Sequence, residues 1–61
     1  MTAWHVTLWW PLHGGLGSVQ KTVVIPYLDQ STIMWAVHEA ARQAGAPLAE
    51  VERVDCYVVR P

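Results

Sequence analysis

The sequence predicts a small α+β domain spanning residues 1–61: a two-layer β-β-α-β unit with one helix on one face of a three-stranded sheet. Three observations carry this. Apolar residues alternate along Trp4–Trp10, Ser18–Ile25 and about Val51–Val59, as half-buried strands require. Between the second and third of these, Ser31–Gly45 changes to a helical period. No linker, internal repeat or low-complexity tract divides the chain, so its elements must bury one another.

In the first strand Trp4, Val6, Leu8 and Trp10 point one way and His5, Thr7 and Trp9 the other. The adjacent Trp9 and Trp10 must therefore be split between the faces, Trp10 inward and Trp9 outward. Residues 11–17, from Pro11 to Gly17, cannot continue a ladder and read as a hairpin loop. Their glycines suggest a phosphate-cradling loop by composition alone. Such loops lead from a strand into a helix, however, and here a second strand follows.

In that second strand Val19, Val23 and Ile25 are placed inward and Gln20, Thr22 and Val24 outward. Lys21 shares the inward parity, so either its amine escapes at a sheet edge or a bulge changes the register. Ser31 or Asp29 caps the helix, Gly45 closes it and Pro47 prevents continuation. Ile33, Val37, Ala40 and Ala44 form the expected core stripe, flanked by Met34 and Ala41, while Leu48 is expected to seal the end of the core. The third strand has Val54, Cys56 and Val58 on the helix side and Arg53, Asp55, Tyr57 and Val59 outside.

A helix of about 14 residues covers about 21 Å, enough to return the chain to the starting end of the sheet. The third strand then runs parallel to the second, and the expected strand order is 2-1-3. The first strand has the bulkiest inward residues and suits the centre; Pro26 and the charges of the third strand suit edges.

Composition narrows function without assigning it. The net charge of −1, with Lys21, Arg42, Arg53 and Arg60 as the cations, supplies no basic patch for nucleic acid or anionic lipid. No secretory signal or membrane-length apolar run is visible, and the expected location is the cytoplasm. The single cysteine, Cys56, allows no intramolecular disulfide. Hydrophobic residues make up 52% of the chain against 15% charged, and four of them are tryptophans, more than so small a core can enclose. The single lysine and frequent alanine and valine resemble the usage of a GC-rich bacterial or phage genome, a likeness that carries no functional residue.

No catalytic, metal-ligating or cofactor-binding motif is readable, and none is assigned. His5, His13, His38 and Cys56 lack paired metal-ligand spacing, and strand parity sets Cys56 and His5 on opposite faces. His5 and Asp55 do share the outer face and are the one candidate catalytic pair. The expected function is non-catalytic protein association, as a homodimer and with a host or cognate partner. Its candidate contact residues are His5, Thr7, Trp9, Tyr57 and Val59 on the outer face and Trp35 on the helix. Single-stranded nucleic-acid stacking ranks second and a small enzyme last.

Overall fold

The computed structural model describes residues 2–12, 15–29 and 31–61; His13 and Gly14 of the hairpin loop lie outside the described residues. Two nine-residue strands, β1 (Ala3–Pro11) and β2 (Ser18–Pro26), precede the helix α1 (Ile33–Ala44). A single 3-10 turn at Leu48–Glu50 leads into β3 (Arg53–Val59). The sheet order is β2-β1-β3, with β1 antiparallel to both neighbours, so β2 and β3 run parallel as the sequence predicts. Pro11 and Pro26, each one residue beyond its expected strand, belong to the strands as their last residues: Pro11 pairs with Ser18 and Pro26 with Ala3.

The β1–β2 register runs unbroken from Ala3 opposite Pro26 to Pro11 opposite Ser18. No bulge relieves the Lys21 parity. Instead Lys21, opposite Leu8 on the inward face of an edge strand, extends its ammonium to the Ala44 carbonyl at 3.2 Å. The last carbonyls of a helix lack intrahelical donors and carry its negative dipole end, so the cation has a partner where an apolar core would offer none. This contact fastens α1 to β2.

The core is large on one side and small on the other. Trp4, Val6, Leu8, Trp10 and Ile25 are buried on the sheet, and Ala36, Ala40, Ala41 and Ala44 on the helix. The expected helical stripe is corrected here: Ile33 is 57% and Met34 67% exposed, and Val37 is only half-buried. Two inward indoles stand up from β1, so the fully buried helical side chains are alanines, while Val37 packs against the core only in part. Leu48 is likewise 40% exposed, and Val51 and Ala46 pack against the core in its place.

Thr32, not Ser31 or Asp29, is the helix cap: in extended conformation, its Oγ1 accepts the Trp35 N–H at 3.1 Å. Ser31 is occupied elsewhere. Its Oγ accepts the indole N–H of Trp4 at 2.9 Å and donates to the Leu28 carbonyl at 2.7 Å, tying the β2–α1 loop to a core side chain. At the other end Gly45 adopts φ 70°, and the Ala46 N–H reaches the Ala41 carbonyl at 2.9 Å, which closes the helix in a Schellman motif. β3 begins at Arg53, two residues later than Val51, because the 3-10 turn consumes the chain before it.

Candidate interaction face of the sheet

One face of the sheet carries α1; the other is a ladder of cross-strand rows. Register sets those rows: Tyr57–His5–Val24, Asp55–Thr7–Thr22 and Arg53–Trp9–Gln20, with Val59 and Pro26 flanking Ala3. Residues directly opposite on antiparallel strands touch, so each row is a unit of packing. The His5 and Tyr57 rings stack at a centroid distance of 5.6 Å and an interplanar angle of 22°. The Thr7 and Thr22 hydroxyls lie 2.9 Å apart in a hydrogen bond. The Arg53 guanidinium sits 4.7 Å from the Trp9 ring centroid, a cation–π contact, and its Nη2 donates to Asp55 Oδ2 at 3.4 Å.

These contacts explain why His5, Thr7 and Trp9 are half-buried although, among the described residues, no second layer lies over them. Their neighbours on β2 and β3 cover their flanks and leave their tips in water. Tyr57 is 55%, Val24 56% and Val59 38% exposed. The face is therefore ordered before anything binds to it, through pairs whose geometry the backbone dictates.

Five of the six candidate contact residues, His5, Thr7, Trp9, Tyr57 and Val59, come together on this face. Trp35 does not. It belongs to α1, in the opposite layer, 38% exposed and close in sequence to the exposed Ile33 and Met34. Leu28, 56% exposed, joins Ile33, Met34 and Trp35 in a set of exposed apolar side chains around the start of the helix. Helical periodicity hid it by assigning Ile33 and Met34 to the core.

The outer face does not set His5 and Asp55 opposite each other. Asp55 stands opposite Thr7, one row from His5, and its carboxylate is drawn to Arg53 while the imidazole stacks on Tyr57. Cys56 lies on the inner side opposite Val6, where burial pushes its thiol pKa up and keeps it protonated. Among the described residues no three His, Cys, Asp or Glu side chains gather as a metal would need. A cleft of about 550 Å³ opens at the hairpin end, lined by Trp10, Val19, Gly45, Pro47 and Glu50 among others. Among the described residues that line it, Glu50 is the one titratable group.

A further electrostatic cluster lies on the helix. Glu39 accepts from Arg42 Nε at 3.0 Å and from Gln43 Nε2 at 2.9 Å, and Arg42 Nη2 completes a bidentate pair. Hydrogen bonds from Arg42, then Gln43, hold the Glu39 carboxyl down to a pKa of about 2. No helix of the structure is long and apolar enough to cross a membrane, among the described residues. Comparison of the chain with protein-family models, curated proteins and solved structures finds no match.

Proposed function

We propose that this protein is a non-catalytic association module, a cytoplasmic accessory protein of a bacterium or phage that works as a homodimer and binds a partner protein through the outer face of its sheet. One observation carries the reading. Tryptophan, tyrosine and arginine, the residue types that dominate binding energy at protein interfaces, stand on the uncovered face as the Trp9–Arg53 and Tyr57–His5 pairs. Holding each ring against a neighbour lowers the side-chain entropy lost on binding.

The distribution of cations favours protein over single-stranded nucleic acid as the ligand. A stacking platform needs open ring faces and cations along the strand path. Here Arg53 lies over Trp9 and also contacts Asp55, Lys21 reaches the end of α1 from the inner side, and Arg42 is paired with Glu39.

The test is a photo-crosslinking residue at Thr7, the centre of the middle row, in an extract of the source cell. A protein adduct that is lost in a Trp9→Ala background supports the reading. Loss of the anchor should weaken binding by about 2 kcal/mol, about 30-fold in Kd. Adducts to nucleic acid, or a protein adduct unchanged by Trp9→Ala, would overturn it.

A further inference from the structure

We infer that the free edge of β3 is the homodimer seam, pairing antiparallel with β3 of a second copy about a two-fold axis at Cys56. The inference deepens the reading of the chain as a dimeric association module and rests on the homodimer part of it alone, not on the outer face.

The phase of the ladders identifies what each edge offers. The Tyr27 N–H donates to the Thr2 carbonyl at 3.1 Å and the Leu12 N–H to the Gly17 carbonyl at 3.2 Å, at opposite ends of the β1–β2 pairing. Antiparallel strands alternate between bonded and non-bonded pairs, so even-numbered residues of β1 bond to β2 and odd-numbered ones to β3. In β3 the partners of those odd residues are Arg53, Asp55, Tyr57 and Val59. The N–H and C=O groups of Val54, Cys56 and Val58 are left facing outward. On β2 the outward set is Ser18, Gln20, Thr22 and Val24, followed by Pro26, which has no N–H to offer.

The two edges differ in protection. An inward-pointing charge on an edge strand is a recognised barrier to further pairing, because an added strand would enclose it. β2 carries that device as Lys21. Across the same row, on the other side of Leu8, β3 carries Val54. Val54 is 37% exposed, and Cys56 and Val58 are only half-buried, although all three face the helix side. On the helix side an added strand would meet apolar side chains on β3 and an ammonium on β2; on the outer side β3 carries the Arg53–Asp55 pair, and β2 ends in a proline.

Side-chain chemistry selects the occupant and register. A two-fold axis through Cys56 sets Val54 beside Val58 of the partner subunit and Cys56 beside the partner's Cys56, so that every outward amide of β3 is bonded. On the outer face Asp55 then lies beside Tyr57 of the partner subunit. Sliding one step one way sets Asp55 against the partner's Asp55, a like-charge pair. Sliding the other way pushes Val54 past the end of β3. The centred register joins two sheets into one of six strands, with both helices on one side and both outer faces on the other.

The experiment is amide hydrogen exchange by NMR on the wild-type protein from micromolar to millimolar concentration, alongside sedimentation equilibrium. The Val54, Cys56 and Val58 amides should gain protection as the dimer forms, while those of Gln20, Thr22 and Val24 stay exchanging. A dimer without that protection, a dimer protected along β2 instead, or a monomer throughout would overturn the inference. Val54→Lys copies onto β3 the device β2 already has and should be a monomer whose Asp55 and Tyr57 amides stay protected. A folded Val54→Lys dimer would also overturn it; if that variant fails to fold, the wild-type exchange pattern still decides. Val54→Lys should still crosslink its partner through Thr7, so failure of the partner reading leaves this seam standing, and the reverse.

Discussion

On the inner face of the sheet the indoles of Trp4 and Trp10 meet alanines; on the outer face the indole of Trp9 meets a guanidinium and then solvent. The same central strand serves both faces, and adjacent residues receive opposite environments. The inner face depends on contacts distant in sequence, such as Trp4 with Ser31 and Lys21 with Ala44, and exists only when the whole chain is folded. The outer face is assembled from cross-strand neighbours and needs only the ladder. Side chains on the first should therefore be measured as stability, and those on the second as binding.

Trp10→Ala should produce the largest effect. Truncating a buried tryptophan costs about 3–5 kcal/mol, and a domain of this size has roughly 3–9 kcal/mol in all. Circular dichroism should show a largely unfolded chain; a cooperative melt near the wild-type temperature would break the contrast between the faces. Trp9→Ala should change unfolding free energy by under about 1 kcal/mol while weakening partner binding about 30-fold. Equal destabilisation by both substitutions would mean that the outer face is part of the folding unit.

A smaller effect sharpens the inner-face argument. Thr32→Ala removes the cap that fixes the start of α1 and should cost about 1 kcal/mol in denaturant unfolding. Partner binding by the folded protein should stay unchanged, since the outer face does not touch the helix. Smallest is the acid response of Glu39. Its pKa is depressed in the folded state, from 4.5 to about 2. Its contribution to stability is thus complete above pH 4.5 and lost as pH falls towards 2. The stability difference between wild type and Glu39→Gln should shrink over that window, with binding through the outer face unaffected. A difference constant from pH 6 to pH 2 would remove Glu39 from the account.

Much of this contrast was legible in the residues themselves. Strict alternation in β1 split Trp9 from Trp10, and its bulky inward set put β1 at the centre of the 2-1-3 order. Lys21 stood out as a conflict of parity, and that conflict marked a real contact. What periodicity could not reveal was which helical side chains lie against the sheet, because the space available is set by the indoles of Trp4 and Trp10, on a different element. Periodicity therefore assigns Ile33 to a core whose fully buried helical side chains are all alanine. The choice between Ser31 and Thr32 as cap was hidden for a similar reason, since the Ser31 hydroxyl is engaged by Trp4 from another element. Alternation places Asp55 and His5 on one face, but register separates them by a row, and register is a property of paired strands.

The alanine face of α1 also shapes how the domain responds to heat. Alanine buries little apolar surface, and burial of that surface is what gives unfolding its large heat-capacity change. For a chain this short the average is on the order of 0.8 kcal/mol/K, and with Ala36, Ala40, Ala41 and Ala44 in place of leucines it falls below that. An unfolding enthalpy on the order of 40 kcal/mol spreads the melt over roughly 20 °C. The stability curve is consequently shallow at both ends: warming unfolds the domain gradually, and cooling removes little of what holds it together.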